Sequence, residues 1–467
     1  MPHLVIFASE REAMLPEQFL ERIAAQKYID APGLVRALGQ PSPVSVRINP
    51  RKWDRPVTGY DKVPWEQNGF YLPVRPQFTP DPLFHAGVYY PQEASSMFTG
   101  EAFRQVAGDM DGINVLDLCG APGGKSTHLS TLISGNGLLV ANEVIRTRAA
   151  VLAETITKWG IGNTVVTQND PSDFAALPGF FDVIVVDAPC SGEGMFSNAP
   201  AVSEWSEQNA RLCSDRQRRI VMDVWPSLKD GGVLIYSTCT FNPAENEENI
   251  AWFIDHIESE PVALDIARFE GITPVNYKNV TGYGFHPGRV RGDGFFIAVL
   301  RKRGGEERGR QYGRIKSHKP DSKILKRIEP LIDVDAARLA VTGDRVIAFA
   351  ARPDLYSRLA ERLRIVKSGT LVGEFRNDDF IPAHDLAMSV MQRSGAWPVY
   401  STTYEEAVSF LRLESFPLSG MPAGRIMMHY RGVPLGFIKN LGNRFNNGYP
   451  QGWRIRMEKQ ASFTEIF

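Results

Sequence analysis

The most constraining feature is a rhythm that begins at residue 113. Short apolar runs suited to strands alternate with longer runs suited to helices. The spacing predicts strand 113–119, helix 124–134, strand 137–142, helix 146–160, strand 164–168 and strand 181–187. A long helical region (203–229), strand 232–238, helix 244–257 and strand 295–300 follow. Such alternation folds as a doubly wound α/β sheet, because parallel neighbours need a helix-length return between them. In the helix 146–160, Ala149, Leu152, Ile156 and Trp159 share one apolar face, and Gly160 stops it.

The flanks lack this rhythm. Residues 10–38 read as helical, 44–49 and 69–72 as short strands, and 91–97 as the opening of a further helix. Residues 301–327 carry eleven Lys/Arg against three acids, net +8, which reads as a solvated tether or as a strip for RNA phosphates. From 391 onward the net charge is +4, with strand candidates at 425–429 and 434–438, as in a small α+β or β-barrel module. The expected divisions are 1–110, 111–302, a basic linker at 303–320, an intermediate domain at 321–390 and a final module at 391–467.

Composition excludes several classes. Fifty-two basic residues against 53 acidic ones leave a net charge of −1, so a nucleic-acid partner has to be gripped by local patches. Four cysteines, with no CxxC and no Cys/His cluster, argue against a disulfide scaffold and against a metal site. They suit a reduced, cytoplasmic compartment. The apolar run at 4–8 is too short for a leader. No uncharged apolar stretch approaches the ~18 residues of a membrane span.

The densest motif is Cys119-Gly120-Ala121-Pro122-Gly123-Gly124-Lys125-Ser126-Thr127, where the first strand turns into a helix. Such a turn lets backbone approach a ligand and aims helix N–H groups at it. A P-loop would need its first glycine where Cys119 stands, one residue before Gly120. A nucleoside site instead wants an acid at the tip of the second strand, and Glu143 is there. Two further strands end near cysteines: Asp187-Ala188-Pro189-Cys190-Ser191-Gly192 and Ser237-Thr238-Cys239. Ligands of a doubly wound sheet bind outside the carboxyl ends of its strands. Both thiols are thus expected on one rim, where they suit covalent catalysis. Cys119 and Cys213 read as packing residues.

Together these motifs resemble the RNA cytosine-C5 methyltransferases of the Fmu/NSUN family over about residues 15–302. Residues 116–125, 187–192 and 237–240 carry the likeness. Residues 45–49, 92–96 and 242–247 extend it, as does Gly292-Asp293-Gly294-Phe295-Phe296, where Glu is more usual than Asp293. The C-terminal stretches 432–436 and 441–444 resemble the bacterial RsmF-type branch. The resemblance implies a Rossmann-like class I methyltransferase domain, an N-terminal α+β RNA-binding region and a C-terminal PUA-like module.

It also implies S-adenosyl-L-methionine as cofactor and RNA as partner, with small-subunit ribosomal RNA ahead of transfer RNA; apart from the resemblance, a monomer is the default expectation. Cys239 becomes the nucleophile on cytosine C6, and Cys190 assists release. Asp187 faces the N3/N4 edge of the base. Cys119, Gly120, Ala121, Pro122, Gly123, Gly124 and Lys125 surround the methionine part. Glu143 takes the ribose and Asp170 the adenine side, with Arg148 as a further candidate and Asp187 shared with the cofactor. A P-loop NTPase and a catalytically silent RNA-binding assembly factor are the competing readings.

Overall fold

A computed structural model of the protein describes residues 15–304, 320–351, 353–377, 379–457 and 465–467. The apolar run at 4–8 and most of the basic strip, 305–319, lie outside the described residues. The alternation predicted from residue 113 is a ten-stranded sheet. Its parallel heart is β4 (Asn114–Asp117), β5 (Leu138–Asn142), β6 (Thr164–Thr167), β7 (Phe181–Asp187) and β8 (Leu228–Thr238). One edge is antiparallel: β10 (Thr273–Tyr277), β11 (Val280–Phe285) and β12 (Phe295–Lys302), with β9 (Ser259–Pro261) beside β12. The order is β10-β11-β12-β8-β7-β4-β5-β6, and β15 (Ile365–Ser368) closes the other edge against β6.

The near-continuous apolar runs follow from burial on both faces. Leu116, Val140, Ile184 and Leu234 face one core, while their neighbours Val115, Leu139, Val183 and Val233 face the other. Helix Arg146–Trp159 buries the predicted face, and Gly160 takes φ +82 at its end. The long helical region is broken: helices Ala199–Glu204 and Glu207–Val224 are separate, and β8 already begins at Leu228. The N-terminal helical stretch likewise splits into Glu17–Ala25 and Ala31–Leu38, where Asp30 accepts from Gly33 N as a cap. The segment 91–97 ends a strand before it turns helical; the helix proper is Phe98–Val106.

Around this sheet stand three smaller ones. β1 (Val44–Ile48) pairs with β2 (Gly69–Leu72) and β3 (Tyr89–Pro91). β13 (Leu339–Thr342), β14 (Arg345–Ala348), β16 (Thr370–Arg376) and β17 (Asp379–Pro382) form the second. The third is β18 (Val399–Ser401), β19 (Gly424–Tyr430), β20 (Val433–Asn440) and β21 (Phe445–Asn447). Val46 and Ile48 share one core with Phe410, Ile426 and Leu435, so the C-terminal module is seated on the N-terminal sheet. Among the described residues no helix is long and apolar enough to cross a membrane.

The chain leaves β4 towards β5 and β6, then returns to β7 on β4's other side. That reversal is a topological switch point, and the crevice it opens lies at the carboxyl ends of β4 and β7.

Candidate functional site

Three strand tips build the crevice: Asp117 ends β4, Asp187 ends β7, and β8 ends at Thr238, one residue before Cys239. After β4 the loop 119–123 folds back, with Gly120 N donating to Asn142 O at 2.7 Å. Gly123 takes φ +120, and a Cβ there would lie 2.6 Å from Thr155 Cγ2, so only glycine fits. Helix Gly124–Leu132 starts here with no side-chain cap on its first N–H groups.

Lys125 Nζ lies 2.8 Å from Asp187 Oδ2, and Ser237 Oγ donates to Asp187 Oδ1 at 2.8 Å. Burial pulls the Lys125 ammonium down, but Asp187 outweighs it and the net shift is upward. The two cysteines expected on one rim meet: their Sγ atoms are 2.8 Å apart, and Cys239 N donates to Cys190 Sγ at 3.2 Å. The hydrogen bond with Cys239, and then burial, push the Cys190 thiol well above its usual value. Ser191 N donates to Glu245 Oε2 at 3.0 Å, so a buried carboxylate holds the loop that carries Cys190.

The other named residues divide. Cys119, Gly120, Ala121, Pro122, Gly124, Lys125 and Asp187 line one cleft of about 190 Å3, which the segment 90–93 and Ser96 close from the N-terminal side. Burial pushes the Cys119 thiol up. Glu143 is buried: Oε1 accepts from Ile145 N at 3.0 Å, and Oε2 lies 3.4 Å from Arg148 Nη1. Arg148 Nη2 donates to Ala121 O at 3.0 Å, which ties the second strand's tip to the loop. Asp170 caps the turn Pro171–Ala176 through Ser172 N, with Arg219 Nη1 at 3.7 Å, and does not line that cleft. Cys213 is buried on helix Glu207–Val224, a packing position.

Sequence reasoning missed the residues that support the site. Arg47 on β1 is fully buried; Nε donates to Gln92 Oε1 at 2.8 Å and Nη2 to Thr127 Oγ1 at 2.6 Å and Gly124 O at 3.1 Å. Its ring partner is Trp159 at 4.6 Å. Asp117 was also passed over. Ser126 Oγ donates to its Oδ2 at 2.6 Å, whereas Oδ1 is buried with no hydrogen-bond partner among the described residues. Burial pushes its carboxyl up to about 7. The signal was an acid at the tip of the first strand of the alternation.

These features fit an amino-acid nucleoside. The stranded Asp117 oxygen can accept from an ammonium, the uncapped helix start can face a carboxylate, and Glu143 can take ribose hydroxyls.

The family model described as 16S rRNA methyltransferase RsmB/F matches residues 107–301. Those for the N-terminal domain of 16S rRNA methyltransferase RsmF and the methyltransferase RsmF PUA domain match 15–94 and 398–455. Ribosomal RNA small subunit methyltransferase F of Shewanella sediminis is 26% identical, over 94% of this chain and 96% of that protein. Its namesake in Vibrio cholerae is 29% identical, over 83% and 84%. The solved methyltransferase homolog protein from Pyrococcus horikoshii is 26% identical with a TM-score of 0.50, covering 62% of this chain and 100% of that one. Three matching segments in order, full-length relatives and a shared fold agree with a crevice built for a nucleoside beside two thiols. Residues 107–301 match the RsmB/F family of 16S ribosomal RNA methyltransferases, with RsmF-type segments on either side, and the chain is an S-adenosylmethionine-dependent RNA methyltransferase.

Proposed function

We propose that this protein methylates carbon 5 of a cytosine in small-subunit ribosomal RNA, through a covalent bond between Cys239 and carbon 6 of the base. The observation that carries this reading is the pair of thiols 2.8 Å apart at two neighbouring strand ends, beside the Lys125–Asp187 ion pair. Carbon 5 of cytosine is a poor nucleophile. Addition of the Cys239 thiolate to carbon 6 breaks aromaticity and makes carbon 5 enamine-like. S-adenosylmethionine, when bound, supplies an electrophilic methyl. A base then takes the C5 proton, and Cys239 leaves as the C5–C6 double bond re-forms.

Each residue has a part in this scheme. Cys190, held as a thiol, donates to the Cys239 sulfur and assists release. Asp187 keeps about a third of its side chain exposed (34%), which supports its meeting the N3/N4 edge of the base. Loop 119–125 takes the methionine part, Glu143 the ribose and Asp170 the adenine side, with Arg148 steadying Glu143. The target base has to leave its stack, so a looped or single-stranded site is expected. The scheme assigns 1–110 and 391–467 to RNA binding and 111–302 to chemistry, with 303–320 as a linker to an intermediate domain at 321–390. The protein acts as a monomer, in the cytoplasm.

A denaturing gel tests the covalent step. Cys190→Ala accumulates a protein–RNA adduct and Cys239→Ala does not; an adduct in Cys239→Ala overturns the assignment. Labelled-methyl transfer to small subunits, naked ribosomal RNA and transfer RNA separates the substrates, and 5-methylcytosine in the transfer RNA pool alone would refute the ribosomal reading.

A further inference from the structure

A second cavity, of about 450 Å3, lies on the far side of Tyr90 from the catalytic cleft. Its size is that of a small-ligand pocket. Phe78, Phe84, Tyr89, Tyr90 and Trp159 form its walls. Tyr90, Pro91 and Pro122 line both spaces, so the two share a wall. Tyr90 leans on the cofactor loop itself: a Cβ at Gly124 would lie 3.2 Å from its Cε1.

These rings are only partly committed to the core. Tyr89 and Trp159 are buried, but Phe78, Phe84 and Tyr90 are half-buried, and Val151 on the same lining is 48% exposed. Aromatic faces left open beside a reaction centre offer stacking surface. The charges suit a phosphate. Lys158 Nζ lies 2.5 Å from Glu154 Oε1, so that pair is neutral. Burial pulls the imidazole of His85 down to about 3, so it is uncharged. Arg75 is exposed on the rim, 5.8 Å from the centroid of Phe78, and leaves the cavity one net positive charge. Lys158 also lies 5.3 Å over Trp453, which brings the cavity to the edge of the C-terminal module.

Extruding a target base unstacks its neighbours, and an unstacked neighbour needs a surface to replace its lost partner. We propose that this cavity takes one unstacked base of the RNA substrate, flanking the target nucleotide, with its phosphate on Arg75. The proposal rests on RNA being the substrate, and not on the roles of Cys190 and Cys239.

Two variants test it with the full chain and small-subunit ribosomal RNA. Arg75→Ala/Phe78→Ala removes the cation and one open ring. Val151→Glu puts a carboxylate at the lining from an already exposed position, so it leaves the fold intact. Both are expected to raise KM for RNA about tenfold, the loss of one stacked base. KM for S-adenosylmethionine and kcat at saturating RNA stay at the parent's values. RNA carrying 4-thiouridine is expected to cross-link to the segment 75–91, a readout that needs no turnover. An RNA KM within twofold of the parent for both variants, or a rise confined to the S-adenosylmethionine KM, overturns the proposal. So does a cross-link that is absent from 75–91. Transfer by the parent to an atom other than cytosine C5 would instead defeat the proposed chemistry, and leave this comparison readable.

Discussion

The crevice between β4 and β7 and the seam between β1–β3 and β19–β20 are built on opposite principles. In the crevice, polar groups meet in pairs at 2.6–3.4 Å: Ser126 with Asp117, Lys125 with Asp187, Cys190 with Cys239 and Arg148 with Glu143. At the seam, Val46, Ile48, Phe410, Ile426 and Leu435 meet side chain to side chain with no charge among them. Burial of polar groups costs stability unless each is paired, whereas burial of apolar ones supplies it. The crevice therefore spends what the seam contributes, and changes to each should fail in different ways. Substitutions in the crevice should cost chemistry, and those at the seam should cost stability.

The largest effect tests the first half. Cys239→Ala should bring methyl transfer to the limit of detection while S-adenosylmethionine binding and Tm hold. A Tm that falls with activity would mean the thiol pair is structural, and would erase the distinction. The second half is tested by Phe410→Ala. Its ring is fully buried in the seam. The cavity should cost about 3–5 kcal/mol and lower Tm, with the kcat of the folded fraction unchanged. Calorimetry and kinetics on one sample decide this, and a kcat loss at constant Tm would break the contrast.

The two regions also differ in how far the sequence reveals them. The parallel strands, helix Arg146–Trp159 and the glycine loop were legible, because local period and turn chemistry specify them within a few residues. The cysteines were legible as a rim pair because strand ends share a rim in such a sheet. The break between Ala25 and Ala31 was not, since apolar spacing runs on across it. Strand β15 was not, because an edge pairing between Ile365–Ser368 and β6 depends on contacts about 200 residues apart. Arg47 reads as a surface residue in isolation. Its partners Gln92, Gly124 and Thr127 are distant in sequence, and only the fold shows that they satisfy its guanidinium. The seam was invisible for the same reason.

Glu245 sharpens the contrast through pH. Burial pushes its carboxyl up to about 7, against hydrogen bonds from Ser191 and Gln217 that pull it down. An unfolded glutamate titrates near ~4.3. Between that value and about 7 the folded chain keeps the proton and the unfolded chain releases it. Folded stability is therefore full below the window and falls as pH rises through it. Glu245→Gln cannot ionise, so its Tm should fall less steeply between pH 4.5 and 7, the difference amounting to at most about 3 kcal/mol. Glu93 and Asp117, also raised to about 7 by burial, keep a residual slope in both proteins. Parallel Tm curves would mean that Glu245 is already charged in the folded state.

Arg47 bridges the two regions, since it is carried by β1 at the seam and bonded to the start of the cofactor helix. Arg47→Lys keeps the charge and loses the planar fork that reaches Gln92, Thr127 and Gly124 together. If the seam serves the crevice only by holding that helix start, kcat/KM for S-adenosylmethionine should drop about tenfold, or about 1.4 kcal/mol. Tm should move less than in Phe410→Ala.

The smallest effect concerns the exposed side of the C-terminal module. Lys439 on β20 and Arg444 in the turn before β21 are both exposed, on the module whose other face forms the seam. Neither touches the crevice, and a chain with net charge −1 grips RNA only through such local cations. Each neutralised phosphate contact lowers the salt slope of binding by about one. Lys439→Ala/Arg444→Ala should therefore weaken RNA binding a few-fold at moderate salt, flatten the dependence on salt, and leave kcat at saturating RNA unchanged. Affinity that falls equally at every salt concentration would point to lost packing rather than lost phosphate contacts. The outer face of the module would then belong with the seam, and the grip on RNA would have to come from elsewhere on the chain.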